Sequence, residues 1–164
     1  MSKYSIGLKS VKFGTPTETV SMPVSMTEFA KTVSGSMTIE ESEAESKQFT
    51  VEELDAPIRE SVIKNGIMTV KWKAYDIDPA ILDVVKDGTA TATKFSAAAN
   101  STIIEKALEI TTDDDVVFTI PKASIKARVT GQIGSDDMIQ LEVSATAIDP
   151  GDGGSPWQIE HPGT

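Results

Sequence analysis

Apolar and polar side chains alternate along much of this chain. In IMTVKWKAY (residues 67–75), Met68, Val70, Trp72 and Ala74 fall on one side, and Thr69, Lys71 and Lys73 on the other. A period of two predicts a strand with one buried face. MIQLEVSATAI repeats it, with Ile139, Leu141, Val143, Ala145 and Ala147 against Gln140, Glu142, Ser144 and Thr146. SIKARVTG sets Ile125, Ala127 and Val129 against Lys126, Arg128 and Thr130, and DVVFTIP aligns Val116, Phe118 and Ile120. Near the start, Ile6 and Leu8 share one parity and Val11 and Phe13 the other, which predicts a bend or bulge between them. SMTIEESEAESKQFTVEE reads as an acidic hairpin, with strands at 36–41 and 47–53 joined through polar residues 42–46. IIEKALEITTDDD fits a helical stripe (Ile103, Ile104, Ala107, Leu108) or a strand, and its β-branched residues favour the strand. GQIGSDDM (131–138) reads as a hairpin loop.

One segment breaks the pattern. In DIDPAILDVVKDG, Asp78 is placed to cap a helix and Pro79 occupies its first position. Ile77 and Leu82 have the spacing of a hydrophobic staple. Ile81, Leu82, Val84 and Val85 form an apolar stripe, Lys86 suits the C-terminal dipole, and Gly88 is the expected left-handed stop. A helix over residues 78–87 is too short to stand alone and must dock on a sheet. The expected fold is an antiparallel β-sandwich or barrel with this one flanking helix. It spans residues 1–150. Residues 151–164, with three glycines and a proline between Gly151 and Pro156, read as a flexible arm.

Composition narrows the function. The 164 residues are 39% hydrophobic, enough for one core. Without cysteine there is no disulfide framework and no thiolate metal site. The opening MSKYSIGLKSVKFG has no long apolar stretch, so no signal peptide is expected, and no segment is long and apolar enough to span a bilayer. With 25 acidic against 15 basic residues the net charge is −10, which argues against a surface that grips nucleic acid.

The chemistry-bearing residues form no constellation. The single histidine, His161, lies in the glycine- and proline-rich tail. Asp113–Asp115 lack the spacing of a calcium loop and read as turn residues. The crowded Glu40, Glu41, Glu43 and Glu45 lack the aromatic platforms of a glycosidase. GxSxG, GxGxxG and P-loop motifs are absent. The expectation is therefore no catalytic residue, no metal and no cofactor. Strands with open edges call for partners, and identical subunits pairing head to tail are one solution.

The order of features carries a resemblance. An acidic hairpin (GSMTIEESEAESKQFTVEE) is followed by a proline-containing excursion (LDAPIRESVIKNG). Strand, Asp-Pro-capped helix and glycine come next (IMTVKWKAYDIDPAILDVVKDGT), then a long late hairpin ending in Asp-Pro (TIPKASIKARVTGQIGSDDMIQLEVSATAIDP). Over roughly residues 4–150 this series resembles the tail tube, or major tail, proteins of long-tailed phages, which share a fold with the type VI secretion tube protein. The resemblance implies a virion (or prophage) structural subunit. Six copies would form a ring, and rings would stack into a hollow tube around a tape-measure protein, with tail terminator and initiator proteins at its ends. DNA would cross the lumen unbound, and assembly would take place in the host bacterial cytoplasm, with no membrane involved. It implies an inter-ring contact at Leu54–Gly66, with Leu54, Asp55, Pro57, Arg59, Glu60 and Lys64 as candidates. An acidic lumen or hairpin, for which Glu40, Glu41, Glu52, Glu53 and Glu142 are candidates, would repel DNA phosphates. Trp157 and Ile159 are candidates for an intersubunit arm. The competing reading is a non-catalytic sandwich of the adhesin or carbohydrate-binding type.

Overall fold

The computed structural model describes residues 6–163, which contain twelve strands and one helix. In chain order these are β1 (Ser10–Gly14), β2 (Thr27–Glu28), β3 (Thr38–Glu41), β4 (Glu45–Phe49), β5 (Arg59–Lys64), β6 (Met68–Ala74), α1 (Pro79–Val85), β7 (Gly88–Ala90), β8 (Phe95–Ala97), β9 (Ile104–Thr111), β10 (Val117–Thr130), β11 (Gln140–Ala147) and β12 (Gln158–Glu160). The mainly antiparallel β class with one short helix is as expected, and within the 103–115 stretch residues Ile104–Thr111 form a strand, β9, followed by a turn. The main sheet has the order β2–β1–β9–β10–β11–β6–β3, with β12 beside β10.

This sheet curls around its own core without closing into a barrel. The inward residues of β6 and β11 are the alternating apolar ones, with Val70, Ala74, Leu141 and Ala145 fully buried. The curl brings opposite ends of the sheet together. Phe13 of β1, Phe29 beyond β2 and Trp72 of β6 form an aromatic triangle with centroid separations of 5.1, 5.9 and 6.3 Å. A bridge between Thr32 and Ala74 ties the same ends through the backbone. Trp72 is only 1% exposed, and its indole Nε1 has no hydrogen-bond partner.

Several boundaries differ from expectation. The segments at 115–121 and 124–131 are not two strands but one, β10, whose ladder with β9 shifts register between Ile120 and Ala123. Pro121 sits at that irregularity, where its missing N–H breaks no ladder bond. The acidic segment 36–53 is not a hairpin, because β3 pairs with β6 and β4 pairs with β5. The reason lies at Ser42. Its N–H donates to Ile67 O at 3.0 Å, and Ile67 N–H donates to Ser42 Oγ at 2.9 Å. That pins the end of β3 to the start of β6, and the chain leaves the sheet there.

The helix is capped as predicted, with Asp78 Oδ1 accepting from Ala80 N–H at 3.1 Å, Pro79 in the first turn, and Leu82 and Val85 buried. It ends sooner than predicted. Lys86 is extended (φ −126°, ψ 144°), and its Nζ donates to Ala127 O at 3.2 Å rather than capping the helix. Gly88 is not a left-handed stop. It begins β7, and a Cβ there would lie 2.4 Å from Ser96 O, so the β7–β8 pairing itself requires glycine.

The C-terminal segment is no loose arm. Ile148 N–H donates to Lys122 O, residues 149–157 loop out, and β12 returns to pair with Val117–Thr119. β12 thus continues the line of β11 along the same edge of β10. Asp152 holds the loop by accepting from Val20 N–H at 2.9 Å and Gly154 N–H at 2.8 Å, bonds that keep its carboxyl below the usual carboxylate range.

Candidate functional site

Once past Ser42 the chain builds a hairpin clear of the main sheet. β4 and β5 pair from Glu45↔Lys64 to Phe49↔Arg59, and Ser46 Oγ hydrogen-bonds Glu60 Oε1 across them. Lys47 Nζ lies 5.4 Å from the Phe49 ring centroid, and Leu54 N–H donates to Val51 O at 3.3 Å in the connecting turn. Every residue from 38 to 65 is exposed. Among them are Phe49, Val51, Leu54, Ile58, Val62 and Ile63, the last two 61% and 65% exposed. A lone two-stranded hairpin is marginal in water, and clustered exposed apolar side chains mark an interaction surface.

The predicted inter-ring residues divide between two kinds of backbone. Leu54, Asp55 and Pro57 lie in the connecting loop. Arg59, Glu60 and Lys64 lie on β5, a strand where a loop was expected. Val62 and Ile63 are adjacent rather than alternating, so β5 carries no period-two burial signal, and pairing with β4 supplies the strand instead.

The five candidate acidic residues do not gather into one cluster, although Glu40 and Glu142 both lie on the polar face of the main sheet. Glu40 lies opposite Thr69 and Glu41 opposite Met68, on opposite faces of the edge strand β3. Glu52 and Glu53 are in the hairpin loop. Glu142 is on the polar face of β11, bonded to Arg128 Nε and 3.3 Å from Lys73 Nζ. The Arg128 hydrogen bond first, then Lys73, holds its carboxyl below the usual glutamate range. Glu142 is therefore charge-compensated within its own subunit.

Trp157 stacks on Phe118, and Ile159 lies opposite Phe118 in the β10–β12 ladder with half its surface exposed. His161 is exposed beyond β12. Asp115 pairs with Lys9 at 2.6 Å, and Asp114 accepts from Ile6 N–H at 3.1 Å, so the aspartate run ties down the start of the described chain. Among the described residues no group of three or more His, Asp or Glu side chains converges as a metal site.

The fold also assembles a cluster that the sequence pattern does not show. Lys71 and Lys73 on β6 and Lys126 and Arg128 on β10 all project from the polar face, in register across β11. The alternation placed each on a polar face. Only the strand order, which sets β11 between β6 and β10, brings them together.

The main sheet thus buries its own core and holds an exposed apolar hairpin clear of it. The family model for phage tail tube protein matches residues 15–159 of the chain, which belongs to that family. None of the curated proteins matches it. Family membership carries a structural role in the phage tail tube, as a component of the virion tail. Among the described residues no helix is long and apolar enough to cross a membrane.

Proposed function

We propose that the protein is the repeating, non-catalytic subunit of the tube. Six copies form a ring, and rings stack into a hollow conduit through which DNA leaves the virion. The subunits assemble in the cytoplasm of the host bacterium around a tape-measure protein, between initiator and terminator proteins, and DNA passes without sequence-specific contact. The observation that carries this reading is the β4–β5 hairpin, which holds six large apolar side chains in solvent on an element with no core of its own. Such an element gains its stability when a neighbouring subunit covers it. Trp72 is buried and Trp157 is stacked within the fold, so neither serves as the exposed platform a carbohydrate-binding module would use.

The test is negative-stain microscopy with sedimentation velocity on the concentrated protein, alone and with its tape-measure partner. Rings or hollow tubes are expected, and Val62→Asp with Ile63→Asp should leave folded monomers. A wild-type chain that stays monomeric in both preparations would overturn the reading.

A further inference from the structure

Two neighbouring cross-strand rows cross the polar face of the main sheet. One reads Lys73–Glu142–Arg128 and the other Lys71–Ser144–Lys126. They lie two residues apart along each strand, about 7 Å. In the first row a carboxylate sits between two cations and pairs with both. In the second row the central position is a serine. Lys71 and Lys126 are exposed, and neither makes an ion pair among the described residues. Their Cα atoms are separated by two strand spacings, about 10 Å, a gap that two ammonium groups on flexible stems can close around one carboxylate. The open depression over these rows is lined by Lys71, Lys126, Ser144 and Ser36. A chain with a net charge of −10 thus gathers four cations around a single carboxylate.

We propose that the Lys71–Ser144–Lys126 row receives the acidic hairpin loop of a second copy of this chain, a Glu52, Glu53 or Asp55 carboxylate taking the place that Glu142 fills in the adjacent row. The loop has the matching chemistry. Between Val51 and Ile58 it carries those three carboxylates and no cation, and all of it is exposed. None of the three is in an ion pair within its own copy among the described residues. It stands at the end of a hairpin that leaves its own sheet at Ser42. Identical chains of high negative charge repel unless opposite charges meet at their contact, so a cationic row is a natural counterpart for an acidic loop. Loop to face is a head-to-tail contact, which propagates into rings or stacks. The inference rests on the reading of the chain as a self-assembling subunit and adds the surface that the hairpin meets.

The test is a charge swap. Lys71→Glu with Lys126→Glu should raise the protein concentration needed for assembly at least tenfold, as should Glu52→Lys with Glu53→Lys and Asp55→Lys. One chain carrying all five changes should assemble again. Thermal midpoints should stay near wild type, because all five side chains are exposed. Independently of assembly, a labelled peptide of residues 49–59 should bind the wild-type chain, lose affinity as NaCl rises, and fail to bind the lysine-reversed variant. If the wild type does not assemble but binds the peptide, the tube reading fails and this contact stands. If tubes form with the lysines reversed, or the five-change chain does not recover, the contact is overturned. It is equally overturned if the peptide fails to bind, or if the lysine reversals abolish binding of labelled duplex DNA while leaving assembly unchanged, which would make the row a phosphate surface.

Discussion

Trp157 stacks on Phe118 with ring centroids 5.8 Å apart and planes 22° from parallel. Phe118 is buried on β10, so the stack anchors the C-terminal segment to the core while β12 adds its short ladder to Val117–Thr119. A three-residue strand contributes few hydrogen bonds, and the aromatic contact supplies much of its hold. Trp157→Ala should therefore cost about 2 kcal/mol in urea unfolding, less than a fully buried tryptophan because the indole is half-buried. Amide exchange at Gln158–Glu160 should accelerate far more than exchange at β11. Unchanged exchange there would mean that the ladder holds the segment without the ring.

The pairing of Glu142 predicts a pH dependence. Arg128 and Lys73 lower its folded pKa below the ordinary glutamate value, so the pairing stabilises the fold fully above that ordinary value, near 4.5. The contribution is lost as pH falls through the lowered folded value, because protonation removes the charge that both cations face. Thermal midpoints of wild type and Glu142→Gln, measured from neutral pH down to strongly acidic pH, should differ most at neutral pH and converge in acid. A constant offset at every pH would show that Glu142 acts through packing alone.

Much of the architecture was legible where burial writes itself into the sequence. β6 and β11 bury one face against the core, so every second residue is apolar, and the helix cap at Asp78 and Pro79 is purely local chemistry. What failed to show was set by contacts distant in sequence. The exit at Ser42 depends on Ile67, 25 residues away, so the acidic stretch looked like a self-contained hairpin. β5 is a strand because it pairs with β4, although none of its side chains is buried. Trp157 among glycines and prolines reads as a free arm until Phe118 is placed beneath it. The cationic rows were invisible for the same reason, since Lys71 and Lys126 become neighbours only through the position of β11.

Gly66 marks where the hairpin rejoins the sheet. A Cβ at this position would lie 2.0 Å from Ser42 O, a backbone atom held by the Ser42–Ile67 hydrogen bonds. The clash cannot be relieved by a rotamer change. Gly66→Ala should cost about 1–3 kcal/mol and shift the angle at which the hairpin leaves the sheet. The expected signature is a lowered thermal midpoint together with weakened assembly, beyond what an equally destabilising core change such as Val70→Ala produces. Equal assembly at equal stability would show that the exit angle does not matter.

Trp72 closes the curl of the sheet, and its indole Nε1 is buried without a partner. An unpaired buried N–H opposes the benefit of burying the ring, so removing the donor while keeping aromatic bulk recovers part of the lost packing. Trp72→Phe should cost only about 1–2 kcal/mol, with the contacts to Phe13 and Phe29 partly retained. Trp72→Ala should cost about 3–5 kcal/mol, since it opens a cavity between the two ends of the sheet. Urea unfolding of the three proteins measures both differences. If Trp72→Phe proves as costly as Trp72→Ala, then Nε1 is satisfied in solution, by a bound water for example, and the indole is held by more than its shape.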